Sequence, residues 1–284
     1  MPSPTFSAQL LSGIATSGAL LVPMAVLAVV ETALPLHARG RWSKAHLGPN
    51  LVLTFLTFGT NIFFNAALVL TLFWLEENGF GLLNRLALPP LLSVVIVVVA
   101  LDFSFYLAHV AMHKRPGFWR FHRVHHSDPF VDVTTTIRQH PGEGVIRYAF
   151  LAAFAFALGA SPAAFAVYRV TSALNGLLEH SNIRVPARLD RWLALVTTWP
   201  NMHKVHHSRA PHETNSNYGN IFSIFDRMFG SFTPSERGAS IVYGLDGFDD
   251  PAAQTTAGLL ALVFRSPEAS GAGARMLADR RVES

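Results

Sequence analysis

Apolar residues run almost unbroken from Leu10 to Val30, and no charged side chain precedes Glu31. Such a run is long enough to cross a bilayer core as a helix. A cleaved export signal would have a basic start and a shorter apolar core, so this run reads as a membrane helix. A polar stretch with Arg39, Arg41 and Lys44 follows, then apolar runs from Leu51 to Leu75 and from about Pro90 to His109. Between Ala45 and Ala108 the only charged residues are Glu76, Glu77, Arg85 and Asp102. A further apolar block begins at Val145; its first arm ends near Gly159, Ser161-Pro162 breaks the helix, and a second arm runs to about His180. At helical rise the first arm is about 22 Å long against a core of roughly 30 Å, which implies a tilted or partly re-entrant hairpin with both ends on one side. Beyond Asp190 no run is long enough to span: Leu259–Phe264 reads as a packing segment and Ser270–Arg275 as a loose tail. The pattern predicts an all-α integral membrane protein with three transmembrane helices plus an apolar helical hairpin. Its expected divisions are a transmembrane region at 1–88, a central domain at 89–235 and a C-terminal tail at 236–284.

Charge orients these spans. Arg39, Arg41 and Lys44 follow the first span, and Lys114, Arg115, Arg120 and Arg123 follow the third, while the Glu76–Leu88 loop holds one arginine. The positive-inside rule places the two basic clusters and the tail in the cytoplasm and the loop outside. The expected location is a bacterial inner membrane. Half of the 284 residues are hydrophobic and 14% are charged, too apolar a balance for an ordinary soluble domain. The net charge of +4 sits beside the spans rather than in one stripe, so it argues for a membrane and against nucleic acid. There is no cysteine, which excludes disulfides, thiolate metal sites and thiol catalysis.

The candidate chemistry lies in the histidines. Ten of the thirteen fall between 109 and 207, and eight form three boxes: His109 and His113; His122, His125 and His126; His203, His206 and His207. Residues three and four apart share a helical face, so each box can aim two or three imidazoles at one place. The orientation puts all three boxes on the cytoplasmic side, and the hairpin returns His140 and His180 there. A structural site for one metal is satisfied by four ligands; eight or nine imidazoles suit two. Imidazole accepts iron, zinc or copper. His180, ending the hairpin, reads as a ligand, and His140 as a ligand, a supporting residue or a helix cap. His37, His46 and His212 read as surface or interfacial. Asp102, seven residues before His109 and inside a span, is the candidate catalytic carboxylate, able to balance the positive charge of the site.

The ordered motifs resemble those of the fatty acid hydroxylase superfamily, which includes sterol desaturases and sphingolipid hydroxylases. The likeness is carried from about Val99 to Gly230 by Asp102–Tyr106–His109–His113, Trp119 to Ser127, Thr136 to Pro141, Glu179-His180-Ser181-Asn182, His203 to Ser208, Asn217-Tyr218-Gly219-Asn220 and Asp226 to Gly230. The resemblance implies a membrane-bound di-iron oxygenase that hydroxylates or desaturates a lipid such as a sterol, fatty acyl chain or sphingolipid. It implies two iron ions, replaceable by zinc on purification, held by the three boxes and His180. Some members carry another histidine four residues before the position of His180; this chain has Gly176 there, leaving His140 or water to fill the place. No haem electron-transfer domain is fused, so electrons are expected from a separate ferredoxin or cytochrome with its reductase. The alternatives are carotenoid or ether-lipid oxidation at the same site, or a membrane metal-binding protein without catalysis. Ligands beyond the end of a span argue against transport, which usually places them at the bilayer midplane.

Overall fold

The computed structural model describes residues 5–37, 44–236, 240–248 and 250–265. Arg39 and Arg41, on which the expected orientation partly rests, lie outside them, as does Ser270–Arg275. Among the described residues the fold is all helical, with isolated bridges such as Pro35 to Ile183 in place of strands. Four helices are long and apolar enough to cross a membrane: α1 (Phe6–Ala33), α2 (Lys44–Glu77) from His46 onward, α3 (Pro90–Lys114) and, after the short α4 (Pro116–His126), α5 (Pro141–Leu158). The hairpin is completed by α6 (Pro162–His180).

Local chemistry sets the helix ends. Thr5 caps α1 by accepting from the Ala8 amide (3.3 Å). Arg115, preceding Pro116, is extended at φ −109°, so α3 stops there and α4 restarts with proline at its first position. That break folds the second histidine box back over the first. Gly159 ends α5 with a left-handed φ of 65°. A side chain there would meet the Phe80 carbonyl, because the hairpin tip is pressed against the α2–α3 loop.

This contact corrects the picture of a re-entrant hairpin. The Leu82 amide donates to the Ala157 carbonyl (3.1 Å) and Asn84 Nδ2 to the Gly159 carbonyl (3.2 Å). The tip therefore reaches the far end of the bundle, at the level of the loop between α2 and α3. The helix gains length by starting at Pro141 rather than Val145, with His140 Nδ1 accepting from the Gly142 amide (3.0 Å). Its 18 residues then cover about 27 Å, close to a bilayer core. The bundle core joins Leu72 of α2, Leu101 of α3, Leu151 and Ala155 of α5, and Phe165 and Tyr168 of α6.

At the opposite end lies a layer of short helices: α7 (Ala187–Leu193), α8 (Pro200–His206), α9 (Pro211–Thr214), α10 (Ile224–Met228) and α11 (Thr256–Ala261). Helix α2 begins earlier than the apolar run because its first turns belong to this layer. His46 Nε2 lies 2.9 Å from Asp128, and Asn50 donates to Asp128 (3.2 Å) and Thr134 (2.9 Å). His46 is thus a half-buried structural partner rather than a surface residue. His37 is likewise half-buried, its Nε2 lying 2.8 Å from the Tyr243 hydroxyl, whereas His212 is exposed. Leu259, Leu262 and Val263 pack against Leu53 and Val124, so the C-terminal apolar segment does pack on the body.

Candidate metal centre

Nine buried histidines form two adjoining groups. His109 and His113 of α3, His122 and His126 of α4 and His206 of α8 make the first; His125 of α4, His180 of α6, and His203 and His207 from the third box make the second. Within each group the candidate ligand nitrogens lie within 4.8 Å of one another. The second and third boxes each contribute to both groups, because adjacent histidines on a helix point in different directions. The groups abut: the rings of His126 and His207 stack with centroids 4.6 Å apart.

Several imidazoles are anchored from behind. The Nδ1–H groups of His109, His206 and His180 face the carbonyls of Tyr218 (2.8 Å), Ser216 (2.7 Å) and Gly176 (2.7 Å). A carbonyl only accepts, so Nδ1 carries the proton and Nε2 presents its lone pair inward. His122 Nδ1 lies 3.2 Å from Glu143 of α5. Burial, followed by the nearby His206, brings the His125 imidazole down to about 3, and burial brings His206 down to about 4. Both are neutral at pH 7, the form that ligates metal.

The donor set fits metal ions. Inward Nε2 atoms sit 3.0 Å apart between His109 and His122, 3.0 Å between His125 and His180, and 2.9 Å between His180 and His203. Two nitrogens each about 2.1 Å from one ion lie about 3.0 Å apart at a right angle and about 3.4 Å apart at a tetrahedral angle. The spacing is that of nitrogens able to share one ion. His206 Nε2 and both ring nitrogens of His113 are buried without a hydrogen-bond partner among the described residues, a cost that a bound cation removes.

Asp102 lies elsewhere. Its carboxylate accepts from the amides of Ile221 (3.1 Å) and Phe222 (2.9 Å). Asp226 accepts from the amides of Tyr218 (2.8 Å) and Gly219 (2.9 Å). Together they hold the Asn217–Asn220 segment whose Tyr218 carbonyl anchors His109. His140 caps α5 and belongs to neither group.

Three carboxylates near the site had no role assigned from the sequence. Glu143 reaches His122, and Glu179 lies 3.7 Å from His180 Nδ1. Glu31, buried at the end of α1, accepts from the amides of Val133 (2.8 Å) and Asn182 (2.6 Å), tying the first span to the segment after His180. Their neighbours in sequence, His140 for Glu143 and His180 for Glu179, were the available signal; Glu31 had none.

A cavity of about 390 Å³ opens from the centre, with His109, His122, His125, His180 and His203 in its wall. It continues along the hairpin between α6, α1 and α2.

These features define an all-α membrane protein organised around two adjoining histidine clusters of metal-binding form. Residues 94–231 match the model of the fatty acid hydroxylase family. The chain is 33% identical over 148 residues to the alkylglycerol monooxygenase of Caenorhabditis elegans, covering 51% of this chain and 28% of that protein. It is 32% identical over 160 residues to the ornithine lipid hydroxylase OlsE of Rhizobium tropici, covering 56% of this chain and 47% of that protein. Human alkylglycerol monooxygenase is 28% identical over 147 residues. The chain thus spans less than half the length of these curated relatives. No solved structure matches it.

Proposed function

We propose that this protein is a membrane-bound, non-haem di-iron oxygenase that hydroxylates a C–H bond of a lipid. The observation that carries the reading is the convergence of nine buried imidazoles into two groups at the end of a membrane-embedded cavity. His109, His113, His122, His126 and His206 would hold one ion, and His125, His180, His203 and His207 the other. Bound iron supplies the two-electron activation of dioxygen. The overall change is balanced as R–H plus O₂ plus two electrons and two protons, giving R–OH and water.

The chain's own residues orient and enclose the site. Tyr218, Ser216 and Gly176 fix imidazole tautomers through their carbonyls, and Glu143 steadies His122. Asp102 acts as a positioning residue through the segment that carries Tyr218. The cavity admits a hydrocarbon chain from the bilayer and excludes bulk water; the carbon held nearest the centre is the one oxidised. Hydroxylation breaks one C–H bond at one carbon, whereas desaturation also needs a second hydrogen within reach, so hydroxylation is the favoured outcome. Electrons come from a ferredoxin or cytochrome with its reductase. The histidine end faces the cytoplasm, as the basic residues Lys114, Arg115 and Arg120 at that end argue. The names of the relatives make alkylglycerols and ornithine lipids first substrates to try.

Metal analysis of the purified protein tests the reading. Two irons per chain are expected, with zinc substituting in some preparations because imidazole accepts both. His206→Ala and His203→Ala, one from each group, should each lose metal and all turnover. Full metal content and turnover in both variants would refute the assignment; full iron without any turnover on lipid extracts would leave a non-catalytic metal protein.

A further inference from the structure

The wall of the cavity beyond the histidines sets two arginines of the membrane-crossing hairpin among mostly apolar side chains. Arg147 of α5 and Arg169 of α6 both line it. Arg147 lies 3.7 Å from Glu143 and 4.9 Å from the centre of the Phe105 ring. Glu143 is shared, since its other oxygen approaches His122 at 3.2 Å. Arg169 lies over the Tyr148 ring (5.4 Å), its Nε is buried with no hydrogen-bond partner, and it makes no ion pair among the described residues. Across the cavity, Asn65 Oδ1 is also buried without a partner. Helix α1 turns Gln9, Ser12 and Thr16, spaced for a single helical face, toward the same space. Its other side exposes Leu11, Val22 and Val29.

Charged groups at this depth are expensive unless paired, and they mark ligand contacts. Two guanidiniums share the wall with two carboxylates, Glu143 and Glu179; Glu143 pairs with Arg147, and neither carboxylate pairs with Arg169. A neutral hydrocarbon would leave Arg169 without a counter-charge, whereas an anionic oxygen group would pair with it and could take both arginines through charge-assisted hydrogen bonds. We propose that the substrate is an acidic lipid whose anionic oxygen group, a carboxylate or a phosphate, is held by Arg147 and Arg169, with adjoining carbons lying along the histidines. This rests on the oxygenase reading for the fate of the lipid, but not for its binding.

The test is direct binding to the full-length, metal-loaded protein in neutral maltoside micelles, using tritiated palmitate, dipalmitoyl phosphatidic acid and hexadecanol. At least one of the two acids should bind ten- to a hundred-fold more tightly than the alcohol, the effect of a hydrogen bond to a charged group. Which acid prevails distinguishes a free carboxylate from a phospholipid phosphate. Arg169→Gln should bring acid binding down toward that of hexadecanol and leave hexadecanol unchanged, while Arg169→Lys should restore part of the difference. Metal content serves as the folding control for both variants. If hexadecanol binds as tightly as both acids, if neither acid binds, or if Arg169→Gln weakens all three alike, the proposal is overturned. Binding is read without turnover, so tight acid binding in a protein that oxidises no lipid would sink the oxygenase reading and leave this one standing.

Discussion

Replacing Asp128 by asparagine should destabilise the protein by about 3 kcal/mol, because it strips a counter-charge from a buried arginine beside the second histidine box. Arg138 is 1% exposed and donates only to neutral acceptors: the Val124 carbonyl (3.2 Å), Asn50 (2.7 Å), Ser127 (3.0 Å) and Gln254 (2.8 Å). Its nearby negative charges are Asp128 and Asp132. Asp128 accepts from Thr135 (2.7 Å), Asn50 (3.2 Å) and the Phe130 amide (3.0 Å), and lies 2.9 Å from His46. Stripping the nearby charge from buried Arg138 and the 2.9 Å partner from His46 compares with breaking a buried ion pair from one side, about 3–5 kcal/mol; Asp132 remains, which favours the lower figure. That is a large part of a total stability of about 5–15 kcal/mol. Burial alone would raise the Asp128 carboxyl, but Arg138 and then His46 outweigh it and hold the group well below the usual carboxylate range. Its contribution is therefore complete above the unfolded value of about 4 and is lost only as pH falls through the lower folded value. Denaturant titration in micelles, read by tryptophan fluorescence, suits the measurement, since Trp119 lies 5.0 Å from the His113 ring. The difference between wild type and variant should shrink as pH falls below about 4. A difference under about 1 kcal/mol near pH 7, or one that widens below about pH 4, would refute the reasoning.

Three further outcomes follow from the geometry. Glu143→Ala should weaken metal affinity by about 10–100-fold, the usual effect of losing a ligand's orienting carboxylate, with helix content unchanged in circular dichroism; chelator competition measures it. Asp102→Asn keeps one acceptor and sets its amide against a backbone N–H, so it should cost about 2–4 kcal/mol in unfolding and hasten metal loss while leaving the oxidised position of any product unchanged. Reporters fused near Asn78 and near Ser161 should share one side of the membrane, and one near Ser208 the other; a Ser161 reporter on the side of Ser208 would contradict the hairpin.

Much of the centre was legible because helical spacing is a local property. The separations within each box, together with the turn forced at Arg115-Pro116, bring His113 and His126 together without any knowledge of the rest of the chain. His180 was legible through the Pro162 break, which returns the hairpin to the histidine end. What escaped depended on contacts across long separations. Glu31 meets the amides of Val133 and Asn182 about a hundred residues or more away, and no periodicity marks a single carboxylate in an apolar helix. His46 looked interfacial because its burial comes from Asp128, more than eighty residues later. Asp102 was legible as an unusual residue, since charge in a span demands a partner, but the identity of that partner was not. The arginines of the cavity were hidden for the same reason: Arg147 and Arg169 come to one cavity only because α5 and α6 both pack on α3.

The most direct test of the oxygenase account is turnover under labelled dioxygen. Membranes containing the protein, a ferredoxin with its reductase, and lipid are supplied with ¹⁸O₂, and the lipids are read by mass spectrometry. The account predicts a lipid product with one heavy oxygen atom, lost together with metal in the His203→Ala and His206→Ala variants. An unlabelled hydroxyl, or a lipid pool left unchanged by protein with both metals in place, would contradict it.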